Sequence, residues 1–297
     1  MIKSLPLFAA AILVAASASA QDDVVLTPTA DTWLRSDKAA DNSASTKLEF
    51  RSEFTEDEGV KTYTKDFVAV LVFSAPTVPD GYEIESATLR VTTERIKADK
   101  CRETNLYAIT GDIAENGKYA DYAEQIAAAR ATDAITSLTL KGLNGKSVAS
   151  DNITSEDFQT IAAWQNTADV TSYVKGVTSS SFGILLCAVN TNTQSNCIFS
   201  KEATAISNSN CDYFTSVTAS DLTPQITVTF KATETPKEEG GDEPKEEGGD
   251  DPKDPTAISS ISSDTDANAP IFNILGQKVS ASYKGIVIRN GKKFIQK

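Results

Sequence analysis

Short apolar stretches recur along residues 24–231, and polar breaks separate them. β-Branched and aromatic residues dominate these stretches, and several alternate apolar with polar positions, which is typical of β-strands. The pattern predicts strands at residues 47–51, 67–73, 84–92, 105–110, 137–140, 182–189, 197–200, 214–217 and 225–230. We therefore predict an all-β domain built as an antiparallel, jelly-roll-like β-sandwich.

Three segments depart from simple alternation. Residues 67–73 are apolar at every position, so we predict a central strand that is covered on both faces. Residues 122–130 are rich in alanine, and residues 155–164 begin with Ser155 as a helix N-cap followed by two acids. We predict short helices at both segments, packed on the edge of the sandwich.

The first 20 residues have the pattern of an export signal. Lys3 precedes an apolar, alanine-rich run that ends in Ala18-Ser19-Ala20, the small-residue cleavage site of a secretory signal peptide. No cysteine follows directly, which favours cleavage to a free chain over lipid attachment. No later stretch holds the roughly 20 apolar residues that a transmembrane helix needs. We therefore expect a secreted chain without a transmembrane segment.

The composition changes abruptly after the last predicted strand. Residues 232–256 repeat the motif PKEEGGD, and their Gly, Pro and carboxylate content predicts a disordered, extended linker. Residues 257–297 form a short C-terminal piece in which Asn290-Gly291 separates two apolar runs, a strong hairpin signal. The predicted organisation is thus a signal peptide at 1–20, a β-sandwich at 21–231, the linker and the C-terminal piece.

The charge and the missing histidines exclude several functions. The net charge is −13, and residues 21–233 carry 29 acidic and 18 basic side chains, a net of −11. Nucleic acid is therefore not an expected partner, because phosphate binding requires a basic stripe. The chain has no histidine, which removes imidazole from every catalytic mechanism and every metal site.

The best candidates for a binding face lie in residues 24–51. With a strand period of two, Leu34 faces the core while Trp33 and Arg35 face outward. Leu48 and Phe50 face the core in the same way, and their neighbours Lys47 and Arg51 face outward. If both strands lie in one sheet, an indole and three cations share a surface. The alternative is that Trp33 and Arg35 pack beneath a loop.

Four cysteines allow three disulfide pairings in an exported chain. Their spacing fits no zinc motif. Cys197 and Cys211 bracket a polar loop, which favours a bridge between them and leaves Cys101 to pair with Cys187. The alternative, which the sequence leaves open, is four reduced and buried thiols.

Seven fragments in order along residues 24–231 resemble the DNRLRE-type domain, a family of exported β-sandwich modules. They are ADTWLR at 30–35, LVF at 71–73, IESATLRV at 84–91, LY at 106–107, DVTSYV at 169–174, FSKE at 199–202 and the closing strand at 225–230. The segment 114–164 is longer than the usual connection, and Val68 stands where the family usually has an arginine.

The resemblance implies a carbohydrate-binding module. The family includes alginate-binding modules that use outward basic side chains, which correspond here to Arg35, Lys47 and Arg51. A stacking aromatic with a few polar partners is the other way in which a sandwich binds sugar, and Trp33 with Arg35 fits that role. No cofactor is implied.

Two acids of the same region are candidates for a structural calcium site. Asp31 and Glu202 lie in the fragments that resemble the family, and carboxylates are the ligands that Ca²⁺ prefers. The alternative is that these side chains satisfy backbone N–H donors.

The last 28 residues resemble the C-terminal sorting tails of Bacteroidota proteins handled by the type IX (Por) secretion system. The residues concerned are IFNILGQKV, YKGIVIRNGKK and the terminal lysine. The resemblance implies secretion and sorting machinery as a partner, and an extracellular or outer cell-surface location. An ordinary terminal hairpin is the alternative.

The sequence favours a non-catalytic module that binds a polysaccharide. The first alternative is a structural or adhesive surface protein without glycan specificity. The second is a carboxylate-dependent enzyme acting on glycans, since paired carboxylates are the catalytic chemistry that a chain without histidine supports most easily. No spacing singles out such a pair, and no nucleophile-elbow, P-loop or zinc motif is present.

Overall fold

The structure, a computed structural model, describes residues 21–97, 99–110 and 112–233, and the backbone of four strands within residues 271–296. Residues 21–233 contain twelve strands: β1 (Val24–Leu26), β2 (Ala30–Arg35), β3 (Lys47–Asp57), β4 (Val60–Ser74), β5 (Tyr82–Ile96), β6 (Glu103–Ile109), β7 (Thr136–Thr139), β8 (Lys146–Ser147), β9 (Gln165–Asp169), β10 (Ser181–Ala188), β11 (Asn196–Phe199) and β12 (Gln225–Ala232). The α-helices of this part are α1 (Ala123–Arg130), α2 (Thr171–Lys175) and α3 (Ala219–Leu222). The predicted fold class is confirmed.

The strands pair in antiparallel fashion in the order β1-β12-β5-β11-β3-β4-β10-β6-β7, with β2 on β4 and with β8 and β9 on β5. β3 links the two halves of this arrangement. Its residues 47–50 pair with β11, and its residues 51–57 pair with β4. A sandwich results, because the two halves place their apolar faces against each other.

Three hydrophobic clusters hold the domain together. The main cluster lies between the halves and draws on both of them, for example Leu89 of β5, Ile226 of β12 and Leu71 of β4. The second lies on the other face of β4 and β10, beneath α1. The third packs around Trp164 and Phe214, next to Phe199 of β11. Both faces of several strands are therefore covered.

β4 confirms the predicted central strand at residues 67–73. Ala69, Leu71 and Phe73 belong to the main cluster, whereas Val68 and Val70 belong to the second cluster. The predicted helix at 122–130 is also confirmed as α1, whose Ile126 and Ala129 cover that second face. Residues 67–73 are apolar at every position because α1 covers one face of this strand and the other half of the sandwich covers the opposite face.

Two predicted elements are wrong. The helix predicted at 155–164 consists of two short 3-10 helices, Glu156–Phe158 and Ile161–Trp164, separated by Thr160 in an extended conformation. This break turns Trp164 inward, where its Nε1 donates to the carbonyl of Phe158 at 3.0 Å. The strand predicted at 214–217 is also absent, because a 3-10 helix, Asp212–Phe214, places Phe214 in the third cluster.

The chain divides into two compact units, Met1–Pro236 and Lys237–Lys297. The second contains β13 (Ile271–Asn273), β14 (Lys278–Val279), β15 (Gly285–Arg289) and β16 (Lys292–Gln296), in the order β14-β13-β15-β16. β15 and β16 pair antiparallel up to Arg289 opposite Lys292, which confirms the predicted hairpin pairing. The predicted signal peptide, nearly all of the predicted linker, and Asn290-Gly291 lie outside the described residues.

Within the part of the chain that the structure describes, no helix has both the length and the apolar character needed to cross a membrane.

Candidate functional site

Trp33 is buried, which corrects the prediction that it faces outward. Only 9% of the residue is exposed, and its ring centroid lies 5.7 Å from that of Phe67 in the main cluster. Leu34, its neighbour, belongs to the second cluster beneath α1. Asn42 Nδ2 donates to the Trp33 carbonyl at 2.7 Å, so a loop also covers this position. Because both faces of β2 are covered, alternation alone could not identify an exposed side.

Arg35 and Arg51 converge on Phe67. Strand pairing places Arg35 of β2 and Arg51 of β3 on either side of Phe67 in β4. The guanidinium carbons lie 4.6 Å and 4.3 Å from the centroid of the Phe67 ring, within cation–π distance. Both arginine side chains are partly exposed, whereas Phe67 is buried. The paired strands β2, β4 and β3 therefore hold Arg35, Phe67 and Arg51 side by side, with one guanidinium on either side of the aromatic ring.

Each of these arginines is paired with an acid. Arg35 donates from Nε and Nη2 to the two carboxylate oxygens of Asp37, at 2.6 Å and 2.7 Å, and this lowers the pKa of Asp37. Arg51 Nη2 lies 3.3 Å from Glu53 Oε1, and its Nη1 donates to the Thr193 carbonyl. We call the set Arg35, Asp37, Arg51, Glu53 and Phe67 the arginine rim.

Two buried donors at the arginine rim have no hydrogen-bond partner within the described residues. They are Trp33 Nε1 and Arg51 Nε. Buried polar groups are usually paired, so these two donors are exceptions to that rule.

Lys47 lies apart from the arginine rim. It pairs across strands with Phe199 of β11, whereas Arg51 pairs with β4. Its Nζ lies 3.5 Å from Glu49 Oε1, and the same oxygen lies 3.3 Å from Arg95 Nη2. Of the predicted ligand-binding residues, the structure therefore brings Arg35 and Arg51 together at Phe67, whereas Lys47 is paired with Glu49, an acid whose charge also acts on Arg35.

The β3–β4 hairpin carries an aromatic surface that was not predicted from the sequence. Tyr63 is 37% exposed, and its ring lies 5.5 Å from that of Phe54 and 4.3 Å from the guanidinium carbon of Arg130. Lys61 Nζ lies 4.3 Å from the Phe54 ring and donates to the Val189 carbonyl at 3.2 Å. We call Phe54, Lys61 and Tyr63 the hairpin platform.

A turn signal could have revealed this hairpin. Glu58 and Gly59 join β3 to β4 and both adopt positive φ angles, 48° and 83°, as a two-residue hairpin turn requires. The dipeptide Glu58-Gly59 is visible in the sequence, and Phe54 and Tyr63 pair across the two strands that it joins. Residues 52–66 are mostly polar, so the sequence pattern did not indicate that β3 and β4 continue as far as this turn.

A buried charge network lies next to the hairpin platform. Arg130 donates from Nη1 and Nη2 to the carboxylate of Asp66 at 2.6 Å and 2.8 Å. The same carboxylate accepts hydrogen bonds from the Tyr119 hydroxyl at 2.7 Å and the Ser52 hydroxyl at 3.1 Å. Arg130 Nε also lies 3.3 Å from Cys187 Sγ. The Arg130 guanidinium is therefore fixed in position behind the Tyr63 ring.

Asp31 and Glu202 are joined through Lys201. The Asp31 carboxylate accepts the backbone N–H of Lys201 at 2.7 Å, which matches the alternative of a satisfied backbone donor. Lys201 Nζ lies 2.5 Å from Glu202 Oε1 and 2.7 Å from Glu115 Oε1. An ammonium group thus lies between two of these acids. Within residues 21–97, 99–110 and 112–233, no group of three or more His, Cys, Asp or Glu side chains is arranged to hold a metal ion.

Cys187, Cys197 and Cys211 are free and buried, so the structure contains neither of the predicted bridges, Cys197–Cys211 and Cys101–Cys187. The side chain of Cys101 lies outside the described residues. Cys197 lies on β11 with its Sγ 3.0 Å from Arg95 Nη2, whereas Cys211 packs in the third cluster. Cys187 belongs to the second cluster, where burial raises the pKa of its thiol to about 11. Each of these three thiols therefore has its own surroundings.

Comparison with protein-family models gives no match, and comparison with curated proteins gives none either. The resemblance to the DNRLRE-type domain and to sorting tails stays a prediction from the sequence.

Proposed function

We propose that this protein is an exported, cell-surface module that binds a polysaccharide without acting on it, and that the arginine rim is its binding site. The observation that supports this is the pair of partly exposed arginine–carboxylate groups on either side of Phe67. An arginine–carboxylate pair offers both hydrogen-bond donors and acceptors to sugar hydroxyls. The paired strands β2, β4 and β3 hold both arginines in place beside Phe67. The export signal in the sequence supports the location.

The charges at the rim favour a neutral polysaccharide. Arg35 already uses two donors on Asp37, and Arg51 is paired with Glu53. A uronic acid would have to compete with these carboxylates in a region whose net charge is −11 over residues 21–233. A neutral sugar can bridge the paired groups through its hydroxyls without separating them.

Affinity electrophoresis with a panel of neutral and acidic polysaccharides tests the proposal. We expect the wild-type chain to be retarded by at least one neutral polysaccharide, and Arg35→Ala and Arg51→Ala to weaken that binding by about tenfold or more. Lys231→Ala is the matched control, because Lys231 forms an exposed ion pair with Glu83 on another part of the domain. Thermal unfolding of each variant verifies that it is folded.

The other outcomes separate the alternatives. Indifference to every polysaccharide would favour a structural or adhesive surface protein. New reducing ends released from a polysaccharide would favour an enzyme. Equal binding by wild type, Arg35→Ala and Arg51→Ala would contradict the arginine rim as the site.

A further inference from the structure

The hairpin platform and the arginine rim lie on opposite faces of β4. Tyr63 contacts Arg130, which binds Asp66, whereas the rim is built around Phe67. Asp66 and Phe67 are successive residues of a strand, so their side chains point to opposite sides of the sheet. A ligand at the platform would therefore contact a surface that the rim does not include.

The position of the Tyr63 ring is fixed before any ligand binds. The guanidinium that lies 4.3 Å from its centroid makes two hydrogen bonds to Asp66, a residue that is only 1% exposed. Burial raises the pKa of Tyr63, so the phenol stays neutral at physiological pH. A ring that is already held loses little conformational freedom on binding, which is the main cost of ordering a flexible side chain.

The platform combines apolar and polar groups over a short distance. Phe54 packs against Tyr63 with an angle of 60° between the rings, and Lys61 lies over Phe54. On the neighbouring part of the sheet, Asn105 Nδ2 donates to the Tyr107 hydroxyl at 3.0 Å. Aromatic rings of this kind contact the C–H face of a sugar, and ammonium, amide and hydroxyl groups can bind its hydroxyls.

We propose that the hairpin platform is a second binding subsite, in which a pyranose ring of a neutral polysaccharide stacks on Tyr63 while its hydroxyls contact Lys61. The subsite rests on the proposed function, since it takes the same class of ligand as the arginine rim. Charge complementarity agrees with this class: Arg130 is paired with Asp66, and Lys61 lies opposite Glu56 in the hairpin.

The test uses the full chain and the polysaccharide that retards the wild type most strongly. We expect Tyr63→Ala to weaken binding by about tenfold, and Tyr63→Phe to retain it within about twofold, because stacking needs the ring and not the hydroxyl. Tyr213→Ala is the matched control, since Tyr213 is 49% exposed and lies in the 3-10 helix Asp212–Phe214, outside the hairpin. Its affinity should equal that of the wild type.

A second variant keeps the test decisive if Tyr63→Ala unfolds. Tyr63→Leu retains an apolar group beside Arg130 but has no planar ring, so it should fold and bind as weakly as Tyr63→Ala. Unchanged binding by Tyr63→Leu, together with weak binding by Arg35→Ala and Arg51→Ala, would overturn the subsite and leave the proposed function intact. A wild-type chain that binds no polysaccharide would overturn both.

Discussion

The carboxyl group of Asp31 lies beneath the surface near the start of β2, where 2% of the residue is exposed. Burial raises its pKa from the usual value near 4 to about 6, although the hydrogen bond from the Lys201 backbone acts in the opposite direction. Glu115 and Glu202 add to the rise through their negative charge, and Lys201 opposes it. The folded protein therefore binds a proton at Asp31 more tightly than the unfolded chain does.

The sign of the resulting pH dependence follows from linkage. A raised pKa in the folded state gives a stabilising contribution that is complete below pH 4 and is lost as the pH rises through about 6. The rise in the pKa of Asp31 from about 4 to about 6 changes the free energy of unfolding by at most about 3 kcal/mol. Asp31→Asn removes the titration and keeps an oxygen that accepts the Lys201 N–H.

We expect Asp31→Asn to gain stability relative to the wild type when the pH rises from 4 to 7.5. Urea unfolding of both proteins at the two pH values measures the change. Asp169→Asn is the control, because the hydrogen bonds from Thr171 lower the pKa of Asp169, so that its carboxyl stays ionised in the folded protein over this range and its replacement should change the stability by nearly the same amount at both pH values. A stability difference between Asp31→Asn and wild type that is the same at both pH values would show that Asp31 does not titrate in this range.

Individual residues of the candidate site were predictable only where strand pairing was simple. The sequence suggested that Arg35 and Arg51 share a surface, and in the structure they share the Phe67 ring. The prediction for Trp33 was wrong, because a period of two identifies the two faces of a strand but not which of them is covered. The adjacent apolar pair Trp33-Leu34 is the signal that both faces of β2 are buried.

Helix α1 is fixed to the sheet by an ion pair as well as by apolar packing. Arg130, its last residue, is 12% exposed in its side chain and forms two hydrogen bonds to Asp66 of β4. Tyr119, which precedes the helix, donates to the same carboxylate. A buried ion pair contributes little net stability compared with apolar residues, but the loss of one partner leaves a charge buried without its counter-ion.

We expect Arg130→Met to destabilise the domain by about 3–5 kcal/mol, because it leaves the Asp66 carboxylate buried and unneutralised. The double variant Asp66→Leu with Arg130→Met should recover part of this loss. Urea unfolding of the two single variants and the double variant gives the coupling energy. Lys231→Met, which breaks an exposed pair with Glu83, should cost no more than about 1 kcal/mol. Additive effects of Asp66→Leu and Arg130→Met would contradict the coupling.

The elements were predictable where local pattern and tertiary packing agree. Continuous apolar residues at 67–73 and alanine content at 122–130 predicted β4 and α1, since both patterns reflect burial. The predictions at 155–164 and 214–217 failed, because packing of Trp164 and Phe214 in the third cluster determines their conformation. No local pattern distinguishes a 3-10 turn that inserts one aromatic residue from a regular helix or strand.

At the scale of the whole molecule, the order of sandwich strands was not predictable. The bend of β3, which pairs first with β11 and then with β4, brings residues 35, 51 and 67 together across long separations in the chain. The Tyr63–Arg130 contact depends in the same way on where α1 packs. Long-range pairing of this kind has no signature in composition or periodicity, so the sequence indicated a class of site without its geometry.

The C-terminal unit is small for an independent domain. Its four described strands contain two to five residues each, and a piece of this size gains little stability from its own core. The resemblance of residues 270–297 to a sorting tail predicts that secretion machinery recognises this segment. We therefore expect removal of residues 270–297 to abolish surface display of the chain, measured by immunodetection and protease accessibility on intact cells. Deletion of residues 244–250, one copy of the linker repeat PKEEGGD, is the control and should leave display unchanged, because a spacer of this composition tolerates shortening. The truncated protein should unfold at the same temperature as the full chain, so that lost display is attributable to sorting and not to unfolding of the sandwich. Normal display of the truncated chain would show that residues 270–297 form an ordinary terminal sheet and that export depends on other segments.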